Sequence, residues 1–209
     1  MVTNRINAVL RGVPPGVVYV LGLVPVPWLF YQAATGALGF RPHEALEHAL
    51  GETALQLLIL GLALTPFKRF VGVNLLRFRR AVGLLAFIYV VLHLLVWLIL
   101  DVQILSAFWA DIVKRPYITV GMLAFTLMLP LAVTSNAWSL RRLGRAWHRL
   151  HRLTYAVAVL GAVHFVMLRK GFQIEPLLYL GTVLILLGLR LIPKSRPSQM
   201  SLGGASRGV

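Results

Sequence analysis

Six runs of about 20 mostly apolar residues, parted by short polar segments, fill this sequence from residue 13 to residue 192. At 1.5 Å of rise per residue, a helix of that length crosses the hydrocarbon core of a bilayer, about 30 Å. The runs lie at 13–33, 46–64, 81–100, 116–134, 150–168 and 176–192. Apolar residues make up 58% of the chain, and mean hydropathy is +0.79. Charged residues are 13%, about half the roughly 25% usual in soluble domains. A water-soluble fold cannot hide that much apolar surface. The reading is an all-α membrane protein, a six-transmembrane-helix bundle over 13–193. A short N-terminal segment, 1–12, and a Ser/Gly-rich tail, 194–209, flank it, and the tail is expected to be disordered. No cysteine is present, which excludes disulfides, thiolate catalysis and Cys-ligated zinc or iron–sulfur clusters.

Prolines punctuate the runs. Pro14 and Pro15 suit the first turn of the first span, whereas Pro25 and Pro27 should kink or break it. That span is too long for the core of a signal peptide. The segment around HEALEH (43–48) reads as loop leading into the second span, which Thr65-Pro66 should stop. Pro116 is a good first residue for the fourth. Between Asp101 and Arg115, Phe108 and Trp109 point to a short interfacial helix.

A net charge of +15 looks like a nucleic-acid signal, but the basic residues sit between spans rather than along a soluble face, so no nucleic-acid partner is expected. Six spans put both termini on one side. All basic residues except Arg41, Lys114, Arg115, Arg169 and Lys170 fall on that side, 16 of 21, and all six acids fall on the other. The positive-inside rule then makes both termini cytoplasmic. The loop cations also suit anionic headgroups, so membrane lipids are expected partners.

The histidines sort by depth. Spans three and five run the same way. His93 lies thirteen residues past Arg80, and His164 twelve past Arg152, which are rises of about 20 and 18 Å. Two imidazoles at one level on two helices can take opposite faces of one haem, each through a neutral ring nitrogen. The plainer reading of either residue alone is a histidine hydrogen-bonded to a neighbouring helix; matched depth favours haem. His151 lies about 20 Å lower and roughly 140° round the helix, so a bend near Gly161 or a tilt would have to reconcile it with His164. It can ligate a second haem only near the cytoplasm, where the third span offers Arg79 and Arg80. His148 is an alternative lower ligand, though His43 and His148 read more simply as solvated.

His48 and Glu52, four apart on one helix face, read as a polar helix end or a quinone or partner site. Arg77, Arg79, Arg80, Arg141 and Arg142 read as topology signals or as an anion site for flavin phosphate or haem propionates. Trp97, Trp109 and Trp138 read as interface anchors. No glycine-rich loop follows a strand, so no dinucleotide domain is expected.

The stretches HALGETAL (48–55), LTP (64–66), RRAVGL with LHLL around His93, KRPYITVG (114–121) and LAVTS followed by RRLGRAWHRLHRLTY and VHF together resemble the MsrQ (YedZ) family. These are haem-binding membrane subunits among the ferric-reductase-like membrane domains, and the likeness runs from about residue 21 to 192. It implies haem b on histidines matching His93, His151 and His164, with FMN as an associated cofactor. It implies residence in the bacterial inner membrane as a multi-pass protein. It also implies electron transfer from the quinone pool to a periplasmic molybdenum-cofactor (molybdopterin) methionine sulfoxide reductase, which repairs oxidised proteins and is itself the catalytic subunit. A polytopic transporter and a structural membrane subunit without haem are the competing classes. A transporter would want charged groups and broken helices at the midplane, and a structural subunit gives no reason for matched histidines.

Overall fold

The structure, a computed structural model, describes residues 2–102, 109, 112–169 and 172–192. The described residues are helical with no strand, and six helical segments are long and apolar enough to cross a membrane. In chain order the elements are α1 (Val2–Gly12), α2 (Pro15–Leu23), α3 (Pro25–Ala34), α4 (Pro42–Val71), a 3-10 turn (Leu76–Phe78) and α5 (Arg79–Val96). A π-helical turn (Trp97–Val102), α6 (Pro116–Val133), α7 (Ala137–Leu143), α8 (Arg145–Leu150), α9 (Leu153–Leu168) and α10 (Ile174–Leu191) complete the chain. The side chains of Asp101 and Asp111, Phe108, and the tail at 194–209 lie outside the described residues.

The core is built where small residues let backbones approach. Ala54 on α4, Ala86 on α5, and Ala158 and Ala162 on α9 are all buried, the pattern by which helices pack tightly inside a bilayer. α4 lies along α5, and α6 along α9; α10 closes the bundle against α9 and α4. The first span is peripheral, and none of its residues is buried. It breaks as its prolines dictate, with Val24 ending α2 and preceding Pro25 of α3. Gly22 lets α2 lie directly on Leu85 of α5, and the Tyr89 hydroxyl donates to the Gly22 carbonyl at 2.8 Å.

Three boundaries differ from the sequence expectation. The HEALEH segment is the first turn and a half of α4, because Pro42 opens that helix. Pro66 does not stop α4, which runs on to Val71 and ends at Gly72 with φ +78, the left-handed cap that glycine favours. Pro66 has no N–H to give the Leu62 carbonyl, and Arg190 of α10 gives one instead, its Nη2 lying 2.6 Å from that oxygen. Residues 2–12, expected only as a short polar segment, form a helix that docks on the α4–α5 connection. Asn7 Nδ2 donates to the Gly72 carbonyl at 3.1 Å, and Arg77 donates to the Leu10 carbonyl at 2.7 Å.

The two ends of the bundle differ in charge. Glu44, Glu47, Glu52 and Glu175 mark an acidic end; Lys68, Arg69, Arg77, Arg79, Arg80, Arg149 and Arg152 mark a basic end. Both α1 and the residue after α10 meet the basic end, α1 at the α4–α5 connection through Asn7 and the Gly72 carbonyl, and Ile192 at the last turn of α4, where Arg69 donates to its carbonyl at 2.7 Å.

Candidate functional site

His93 and His164 face each other across a cavity of about 400 Å3, within the 300–1,000 Å3 range of ligand sites. His93 comes from the last turn of α5 and His164 from the middle of the C-terminal half of α9, so the equal depth read from the sequence is realised. Their ring centres are 6.3 Å apart and the ring planes stand at 82°.

Each ring is held in the same way by a different helix. His93 Nδ1 lies 2.9 Å from the Glu47 carbonyl of α4, and His164 Nδ1 lies 2.6 Å from the Tyr117 carbonyl of α6. A helix carbonyl already accepts from the residue four positions on, and in both helices that residue is glycine: Gly51 after Glu47, Gly121 after Tyr117. The rings occupy the space a side chain would fill. A Cβ on Gly51 would stand 3.0 Å from His93 Nδ1, and one on Gly121 would stand 2.8 Å from His164 Nδ1. The carbonyls accept only if each Nδ1 carries the proton, which leaves Nε2 with the free lone pair.

This donor set fits an iron macrocycle. A metal–imidazole bond is about 2 Å, so two in line put the ring centres about 6 Å apart. A second bond fixing the other ring nitrogen is what metal-ligating histidines usually have. Much of the wall is apolar, with Leu55, Val90, Phe125 and Phe165 among its residues, and Glu44, Glu47, His48, Glu52 and Arg115 are its charged and polar members. The π-helical turn directly after α5 begins at Trp97, four residues beyond His93, and carries that side chain into this wall, where it is buried against Ile118. Trp97 is therefore a cavity residue rather than an interface anchor; Trp109 and Trp138 are exposed, as anchors are.

His151 is not brought to this pair. It lines a second cavity of about 590 Å3 at the basic end, with Arg77, Arg79, Arg80, His148 and Arg152. The helix break falls at His151-Arg152, between α8 and α9, and Gly161 lies inside an unbroken α9, so the expected bend near Gly161 is absent. His151 stacks on Trp147 with ring centres 3.8 Å apart, and its Nε2 is 3.0 Å from Thr134 Oγ1. The Thr134 hydroxyl spends its one proton on the Pro130 carbonyl at 2.6 Å. It therefore accepts from His151 Nε2–H, leaving Nδ1 as the open nitrogen. Arg141 and Arg142, grouped with the anion-binding cations on sequence grounds, are not among the residues lining this cavity; Arg142 lies over the exposed Trp138 ring at 5.3 Å. Leu58, Met128 and Val157 line both cavities and form the apolar partition between them.

Glu52 also lines the first cavity, as does His48. Its Oε1 accepts from Tyr179 at 2.8 Å and from Gln56 at 3.0 Å.

The sequence profile described as ferric reductase like transmembrane component matches residues 50–162. A protein of Agrobacterium fabrum is 50% identical over 185 residues, covering 88% of this chain and 85% of the relative. One of Rhizobium meliloti is 49% identical over 186 residues, covering 88% and 86%. One of Brucella anthropi is 46% identical over 188 residues, covering 86% of each. All three bear the name protein-methionine-sulfoxide reductase heme-binding subunit MsrQ. This chain belongs to the MsrQ family. It is a multi-pass protein of the bacterial inner membrane, and membership of MsrQ, together with the ferric-reductase-like match, supports a role in membrane electron transfer. The stretches HALGETAL and KRPYITVG contain Gly51 and Gly121, the two ring-seating positions that sequence reasoning passed over.

Proposed function

We propose that the chain is a haem b electron-transfer subunit whose first haem is held between His93 and His164. The observation that carries this reading is the paired seating: two imidazoles 6.3 Å apart, each anchored through Nδ1 to a carbonyl beside a glycine. The relatives' name, which includes haem binding, points the same way. Bound haem supplies one-electron chemistry at iron. The protein's own contribution is to fix both Nε2 lone pairs in place, to hold the ring planes crossed, and to keep water from the iron with an apolar wall.

His151 is the third ligand of the proposal. The same reading gives it a second haem in the basic-end cavity, bound through Nδ1. The arginines around that cavity suit the carboxylates of a haem or the phosphate of FMN. Electrons would then enter at the cytoplasmic, basic end from the quinone pool and leave at the periplasmic, acidic end. The recipient is a molybdopterin-containing methionine sulfoxide reductase that repairs oxidised periplasmic proteins. Leu58, Met128 and Val157 are the apolar medium between the two sites.

Haem quantification per chain on purified protein, with His93, His164 and His151 each replaced by Ala, tests this. The expected result is loss of the same haem in His93→Ala and His164→Ala and loss of a different one in His151→Ala. Full haem content in His93→Ala and His164→Ala, or a colourless wild-type protein made with haem supplied, overturns it.

A further inference from the structure

A haem carries two carboxylates as well as iron, and two arginines that the ligand pair does not use stand at the acidic end of the first cavity, Arg115 in its wall and Arg169 just outside it, next after the lining residue Leu168. Arg169 caps the C-terminus of α9, five residues beyond His164, about 7.5 Å further along the axis. Its guanidinium lies over the ring of Phe165 at 5.6 Å, and Phe165 lines the cavity. It is also close enough to His48, another lining residue, for the two to interact electrostatically. Its Nε is buried with no hydrogen-bond partner among the described residues. A buried guanidinium N–H without an acceptor is costly, so an acceptor belongs there. Arg115 caps the N-terminus of α6, lines the same cavity and reaches the Tyr117 hydroxyl at 3.4 Å. The backbone that places Arg115 is the backbone whose Tyr117 carbonyl holds His164.

We propose that Arg169 and Arg115 form the seat for the haem carboxylates at the acidic end, fixing which edge of the macrocycle faces that end. The inference rests on the His93/His164 reading above. Glu44, Glu47 and Glu52 share the cavity wall and oppose an anion. Glu44 is offset by Arg41 at 2.6 Å, and the Glu52 carboxylate accepts from Tyr179 and Gln56. Arginine suits the task because its planar fork meets a carboxylate with two parallel N–H donors and never loses its proton. The alternative acceptor of the same chemistry is a lipid phosphate, since Arg169 follows directly on a segment long and apolar enough to cross a membrane.

The test separates the two. Full-length His151→Ala protein, stripped of haem, is titrated with haem b and with its dimethyl ester, following the Soret band. The ester keeps the iron and the ring and lacks the two negative charges. Haem b should bind about tenfold or more tightly than the ester, as expected for charge-assisted hydrogen bonds. Arg169→Gln should lose most of that preference while binding the ester as before, which also shows that the variant folds. Arg169→Lys should restore part of it. Equal binding of haem b and ester by the arginine-bearing protein, or an unchanged preference in Arg169→Gln, overturns the seat and assigns the arginine to lipid. Failure of both porphyrins to bind at all overturns the histidine reading instead.

Discussion

At positions 51 and 121 the missing side chain lets an imidazole lie against a helix backbone and share a carbonyl with the helix itself. Ala at a helix interior is favoured over Gly by about 0.8–1 kcal/mol, so Gly51→Ala and Gly121→Ala should strengthen α4 and α6 as helices. They should nevertheless weaken haem binding by about 10–100-fold, the usual cost of disturbing the bond behind a metal-ligating histidine. Gly181→Ala is the control. Gly181 lies on α10 and lines neither cavity, its Cβ would meet nothing within 4 Å, and haem affinity should be unchanged. Haem titration and thermal melting of the three variants read both effects. The histidines themselves were legible in the sequence, because depth follows from counting residues along a helix. The glycines were not, because their role depends on which ring another helix delivers to them, and a helical glycine in isolation marks nothing.

Pro66 and Arg190 show the same limit one level up. A proline after an apolar run reads as a helix stop, and from α4 alone that is the sound inference. α4 continues because Arg190 of α10 supplies the donor that the Leu62 carbonyl lacks; the same guanidinium donates to the Tyr155 hydroxyl at 2.8 Å. Arg190→Met should therefore destabilise the bundle by about 1–3 kcal/mol, the cost of leaving a buried group unpaired. Pro66→Ala gives Leu62 an intrahelical donor and should recover part of that loss in the double variant, a coupling readable by a double-mutant cycle of unfolding. By contrast, the break between α2 and α3 was legible, because Pro25 and Pro27 put two helix-breaking residues within three positions of one span. α1 was missed as a helix for want of length; its contacts with the α4–α5 connection are made from outside the segment.

For the whole molecule, six crossings and the segregation of charge came directly from the sequence, since hydrocarbon thickness and the positive-inside rule act on composition. The contacts of α1 with the α4–α5 connection, and of Ile192 with Arg69 in the last turn of α4, put the ends of the described chain at the basic end. A chain without cysteine suits labelling with an impermeant thiol reagent: Arg145→Cys should react only from the cytoplasm and Ala37→Cys only from the periplasm, and the reverse pattern would invert the topology. The division into two cavities was not legible, because the partition of Leu58, Met128 and Val157 draws on α4, α6 and α9 at once. The crossed imidazoles offer the most direct test. Perpendicular ligand planes leave the iron dxz and dyz orbitals nearly degenerate, and this makes a low-spin ferric centre strongly anisotropic. Low-temperature electron paramagnetic resonance of oxidised His151→Ala protein should show a single low-spin haem with a large maximum g value, in keeping with ring planes at 82°. A high-spin ferric signal, or no haem signal from protein made with haem supplied, would contradict the bis-histidine site.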